Sequence, residues 1–117
     1  KKTGEEKEAR QKAIEEASKY AMEIPFKVME TAYQSMEVMR AMAETGNPNS
    51  VSDAGVGALC ALTAVEGALL NVKINAGGID DQTFTDDLIK RGNKIADKAR
   101  TERDAIIEIV EEKIETL

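Results

Sequence analysis

Residues 46–78, GNPNSVSDAGVGALCALTAVEGALLNVKINAGG, decide how this chain folds. The stretch opens on a polar turn, runs through about twenty apolar or small residues, and closes on Gly77-Gly78. Ser52 or Asp53 is the predicted start of a helix, with Ser52 as N-cap and Asp53 adding negative charge where the helix dipole favours it. The glycine pair is the predicted stop. Gly55, Gly57 and Gly67 lie inside, and each costs about 1 kcal/mol relative to alanine. Three such residues point to close packing by other backbones. A rod that is apolar nearly all round is expected to be buried on most sides. A membrane span is the competing account on length alone, but Glu66 in mid-run and the Ala/Gly-rich composition count against it.

Working outward, Glu5 to Glu44 is rich in helix formers, with apolar positions three and four apart on both sides of Pro25. Proline removes a backbone donor, so a kink or a restart is expected near Ile24. Met22, Met29, Met36, Met39 and Met42 have helical spacing and read as core or interface packing. Downstream, Asp80 or Asp81 is positioned to cap a third helix, Thr83 to Thr116, whose apolar face includes Phe84, Leu88, Ala99, Ile106 and Val110. No strand alternation appears. The predicted fold is all-α: a bundle of long helices around a buried small-residue central helix. Three rods cannot enclose that helix, so further N-terminal helices and a dimer partner are expected to complete the bundle.

Composition narrows the functional classes. The chain has 117 residues, 32% of them charged and 42% hydrophobic, which suits a packed domain or part of one. The formal net charge of −6 argues against nucleic acid and anionic membranes as partners. There is no histidine, so histidine acid–base or histidine-metal chemistry cannot come from these residues, and Glu-x-x-His pairs are missing. Cys60 is the single cysteine; it is expected to be a small buried hydrophobe, and a lone thiol fits the cytoplasm. The beginning, KKTGEEKEAR, lacks an initiator Met and an apolar segment, so the chain is expected to start part-way through a longer protein.

A structural helix needs one cap and one stop. The stretch carries more polar groups than that: Asn47, Asn49, Ser52 and Asp53 at one end, Asn71 and Asn75 late in the run. Asn47 and Asn49 flank Pro48, and turn chemistry and ligand binding both account for them. Asn71 and Asn75 lie four apart on one helical face, where an amide offers both a donor and an acceptor; bonding to a neighbouring helix is the alternative. Lys73 on its own reads as a solvated lysine.

Gly46-Asn47-x-Asn49, Ser52-Asp53, Asn71-Val72-x-x-Asn75 and Asp80-Asp81, together with TGEEKEARQKAIEEA and Pro25 upstream, resemble the folate cyclodeaminase/cyclohydrolase family. The resemblance runs from Thr3 to about Glu112, and SDAGVGALCA is closer to its stand-alone bacterial cyclohydrolases than to the animal cyclodeaminases. It implies that these residues are the C-terminal part of a single helical folate-enzyme domain. The earlier half of the family pattern, with a Pro-Gly-Gly-Gly loop and a catalytic acidic residue, is not among them.

The implied activity is hydrolysis of 5,10-methenyltetrahydrofolate to 10-formyltetrahydrofolate. The alternatives are formiminotetrahydrofolate cyclodeamination with release of ammonia and, from another class, a non-catalytic helical oligomerisation module. No cofactor or metal is implied beyond the tetrahydrofolate substrate. The partner implied is a second copy, as a homodimer or higher homo-oligomer. On this reading Asp53 is the candidate catalytic carboxylate. At a helix N-terminus the anion is favoured, which suits fixing the pterin or stabilising its cation better than accepting a proton. The main proton carrier is then expected in the earlier half. Asn47, Asn49, Ser52, Asn71, Asn75 and Lys73 are the implied substrate-binding set.

Overall fold

The structure, a computed structural model, describes residues 3–117. Three long α-helices follow one another: α1 Gly4–Thr45, α2 Val51–Ala76 and α3 Gln82–Glu115, with a short 3₁₀ turn, Pro48–Ser50, leading into α2. There is no strand among the described residues, as the missing two-residue alternation implies. The molecule is a rod of 73 × 19 × 16 Å. α2 is the middle element and packs on both α1 and α3.

The seam of the bundle follows from spacing. Met22, Met29 and Met36 recur every seven residues along α1 and are fully buried, with Phe26 and Ala43 continuing the line. A seven-residue repeat keeps one face of a helix against its neighbours. From α2 come Ala54, Ala58, Leu62, Val65, Leu69 and Val72, and from α3 Leu88, Ala96, Ala99, Ile106 and Val110. Small residues let the rods approach: a methyl group on Gly57 would collide with the Met39 sulfur, and one on Gly92 would lie 2.9 Å from Leu69 Cδ1. What fills the space over Gly55 and Gly57 is therefore side chain from Val110, Ile107 and Met39, not backbone. Over Gly67 there is nothing within 4 Å.

Four local expectations are corrected. α1 does not restart near Ile24; it is one continuous helix with Pro25 inside it. α2 begins at Val51, so Ser52 is inside the helix and cannot be its N-cap. Ser50 holds the cap position and makes no side-chain cap bond. The 3₁₀ turn does the bracing instead, as Ser50 N–H donates to the Asn47 carbonyl and Val51 N–H to that of Pro48, while Val51 buries its side chain. Cys60 is exposed, because it lies on a face of α2 that neither α1 nor α3 covers. For the same reason α2 is buried on two sides only: Val56, Leu59, Leu70 and Ile74 stand in the open.

The connections are tied down by polar groups. Asp81 is the N-cap of α3, accepting from Phe84 N–H at 3.1 Å. The backbone N–H groups of Asp80 and Asp81 both donate to the Glu15 carboxylate, at 3.0 and 2.9 Å. Lys19 reaches Asp81 at 2.8 Å. The acidic pair Asp80-Asp81 thus locks the α2–α3 turn onto α1. At the other end, Lys113 Nζ donates to the Ala43 and Glu44 carbonyls, orphans of the last turn of α1. Glu66 on α2 pairs with Arg100 on α3 at 2.6 Å, and Arg100 also holds Asp97 at 2.9 Å.

Candidate functional site

The polar residues singled out in the sequence fall into two groups at opposite ends of α2. At the entry end Asn47 Oδ1 accepts from Asn49 N–H at 3.0 Å, an Asx turn. That oxygen is used by the turn itself. Asn49 is exposed beside it. Ser52 and Asp53 are the second and third residues of α2 and are exposed. At the far end lie Asn71, Lys73 and Asn75. Eighteen residues at 1.5 Å each separate Asp53 from Asn71, about 27 Å along the axis. One protomer therefore does not bring Asp53 and the Asn71–Asn75 pair around a single ring.

The far end has the better-formed hollow. Asn71 and Asn75, one turn apart, share it with Ala64, Gly67 and Ala68 of α2 and with Ile24, Pro25 and Val28 of α1; its volume is about 500 Å³. Small residues make the floor, Ile24 and Val28 make an apolar wall, and two amides stand at one end. An adjoining hollow of about 460 Å³ shares Ile24 and Val28 and continues along α1 past Lys27, Thr31 and Ser35. Both hollows are open to solvent, and their lining combines apolar side chains with a few polar groups, the mix found in small-molecule sites. Lys73 is two residues beyond Asn71, about 200° round the helix. It does not line the hollow.

Asn75 is anchored. Its Nδ2 donates to the carbonyl of Ala21 on α1 at 3.1 Å. Asn71 lines the hollow from an exposed position. Glu66, by contrast, points its charge at Arg100 on the α3 side and belongs to the packing. The sequence reading singles out the two amides, and the structure brings them together in one hollow with Pro25, Ile24, Val28 and Gly67, which that reading does not group with them. The signal was there in part: a proline inside a strong helix leaves one carbonyl without its donor, and an amide elsewhere in the chain is a natural replacement.

Electrostatics at the neighbouring turn are set by one ion pair. The hydrogen bond from Lys19, followed by that from Phe84 N–H, holds the Asp81 carboxyl below the usual carboxylate range. The same bond to Asp81 lifts Lys19 above the usual lysine value. Lys19 also lies 5.2 Å from the centre of the Phe84 ring.

Comparison with known proteins decides the family. A family described as formiminotransferase-cyclodeaminase matches residues 1–94. The chain belongs to this family. It is 36% identical over 114 residues to methenyltetrahydrofolate cyclohydrolase of Methylorubrum extorquens, covering 97% of this chain and 55% of that protein. It is 32% identical over 102 residues to formimidoyltransferase-cyclodeaminase of Rattus norvegicus, covering 87% of this chain and 19% of the rat protein. The corresponding protein of Dictyostelium discoideum is 33% identical over 98 residues. The chain therefore spans about half the length of the bacterial relative and about a fifth of the rat one. The family assignment agrees with the resemblance carried by the Asn-rich turn, the Ser52-Asp53 pair and Asn71-Val72-x-x-Asn75.

Proposed function

We propose that this chain is the C-terminal part of a single helical domain of a one-carbon folate enzyme that hydrolyses 5,10-methenyltetrahydrofolate to 10-formyltetrahydrofolate. The observation that carries the reading is the match to the bacterial cyclohydrolase over 97% of this chain. The hollow between α1 and α2 supports it: a flat floor of small residues, an apolar wall and two amides suit a planar heteroaromatic ring with donors and acceptors on its edge. In the reaction, water adds to the cationic methenyl carbon and gives up one proton; the remaining hydroxyl proton passes to N5 as the C–N5 bond breaks, leaving the formyl group on N10. Asn71 and Asn75 bind and orient the pterin. Asp53, about 27 Å away on the same helix, acts at a site that a second subunit or an earlier part of the chain completes. Its anion stabilises positive charge there, and the main proton carrier lies in that other part. Asn47, Asn49 and Ser52 line the same entry end, and Lys73, turned away from the hollow, is left to solvent or to a neighbouring subunit.

The surface supports assembly. The chain exposes 7632 Å², against about 6,200 Å² for a folded monomer of its mass. An excess of that order is what a homodimer, or helices from an earlier half, would cover. Protein neighbours rather than lipid are the reading for the uncovered part of α2, since Thr63, Asn71, Lys73 and Asn75 stand exposed on the same helix. The α2 region, residues 48–76, is nevertheless long and apolar enough to cross a membrane by composition. A free thiol at Cys60 suits the cytoplasm.

The test is to follow the near-ultraviolet absorbance of 5,10-methenyltetrahydrofolate with the full-length protein. Decay above the spontaneous rate supports the cyclohydrolase. A stable band overturns it and turns the question to the cyclodeaminase, the activity named for the rat and Dictyostelium relatives. That reaction is read as the same band growing from formiminotetrahydrofolate.

A further inference from the structure

Pro25 and Asn75 are on different helices, and one carbonyl connects them. Pro25 has no amide hydrogen, so the Ala21 carbonyl, four residues earlier in α1, lacks its helical donor. That carbonyl accepts from Asn75 Nδ2. A side-chain amide has a donor end and an acceptor end, and a carbonyl can pair only with the donor. The bond therefore fixes which way the amide is turned and leaves Oδ1 as the free end. Pro25, Asn71 and Asn75 line the same hollow. Ala21 and Asn75 are both exposed, so water could serve the carbonyl and folding alone asks for no side chain there.

We infer that Pro25 is a positioning residue for the folate site: by vacating the Ala21 carbonyl it latches the Asn75 amide in one orientation, with its oxygen presented to an N–H donor of the bound ring. The inference rests on the folate reading of the hollow. It explains why α1 carries a proline in mid-helix without breaking. An unlatched amide would turn freely and offer its NH₂ to the ring's donors about as often as its oxygen.

The test uses four forms of the full-length protein: wild type, Pro25→Ala, Asn75→Asp and the double variant. Pro25→Ala restores an N–H that serves Ala21 in the ordinary helical way and releases Asn75. The thermal midpoint is expected to stay level or rise, because proline is the poorest residue for a helix interior. The Kd for tetrahydrofolate, read by calorimetry, is expected to rise roughly three- to tenfold, the worth of one oriented hydrogen bond. A merely structural proline would move both readouts in the same direction. Asn75→Asp sets acceptor against acceptor while Pro25 is present, and is expected to lower the midpoint more there than in the Pro25→Ala background. Additive midpoints would show that no latch exists and overturn the inference. Equal tetrahydrofolate affinity of wild type and Pro25→Ala would overturn the positioning role while the folate reading stands. A wild type that binds no tetrahydrofolate would sink the folate reading, and the positioning role with it.

Discussion

If the hollow holds the folate ring as proposed, Gly67 separates folding from binding at the level of a single residue. An added side chain meets nothing within 4 Å, and the position is on the floor of the α1–α2 hollow. Gly67→Ala is expected to raise stability by about 0.5–1 kcal/mol, the ordinary gain for alanine over glycine in a helix, measured by urea denaturation. Gly67→Leu is expected to fold as well and to lose tetrahydrofolate binding by more than about tenfold, because its side chain fills the space meant for the ring. Loss of both stability and binding would mean that the floor is packed by something other than substrate. Gly57 is the opposite case: it meets Met39, and its reason is packing. The two glycines look alike in the sequence. Both carry the same helix penalty, and only the position of the neighbouring helix tells them apart. The amides divide the same way. Asn47 serves its own turn, a role its place before Pro48 already suggests, whereas the Asn75 bond crosses 54 residues and could not be read from spacing.

Helices as elements were legible, because the three-four spacing and the glycine and proline punctuation are strong local signals. Their ends were less so. Ser52 was a plausible cap, but the 3₁₀ turn from Pro48 starts α2 at Val51 and uses backbone bonds for the purpose. Pro25 predicts a kink or a restart, and α1 does not restart. The packing of Met22, Phe26 and Met29 across that position keeps the helix going, with the Ala21 carbonyl satisfied from α2. The α2–α3 turn yields a pH prediction. The Asp81 carboxyl is held below its ordinary value of 3.8, so its contribution is complete above that pH and is lost as pH falls through the lower folded value. Lys19 is raised above 10.5, so its contribution is complete below that pH and is lost as pH rises through the higher folded value. Asp81→Asn keeps an N-cap but removes the charge. Thermal melts across pH should show a smaller loss of stability in this variant than in wild type at both the acid and the alkaline end; unchanged profiles would mean that solvent screens the pair completely.

At the scale of the whole molecule the open faces dominate. Along α1, Ile24, Val28, Val38 and Met42 face away from the methionine seam, and along α2 Leu70 and Ile74 are 68% and 77% exposed. Exposed apolar side chains on these faces are the basis of the proposed assembly. The sequence predicts a central helix buried on most sides, whereas in these three rods α2 is covered only where α1 and α3 pack on it. Leu70→Glu with Ile74→Lys is expected to leave the melting temperature of this chain within about 2 °C, since neither side chain is in the core. The same pair should shift the sedimenting species of the full-length protein towards monomer. A drop in melting temperature without a change in mass would place these residues in the fold instead. The Lys113 bonds to Ala43 and Glu44 bear on synthesis as well as stability. On the ribosome, α1 is made first, yet the group that closes its last turn is made about seventy residues later. Until the final turns of the third helix emerge, the Ala43 and Glu44 carbonyls have water in place of that ammonium group.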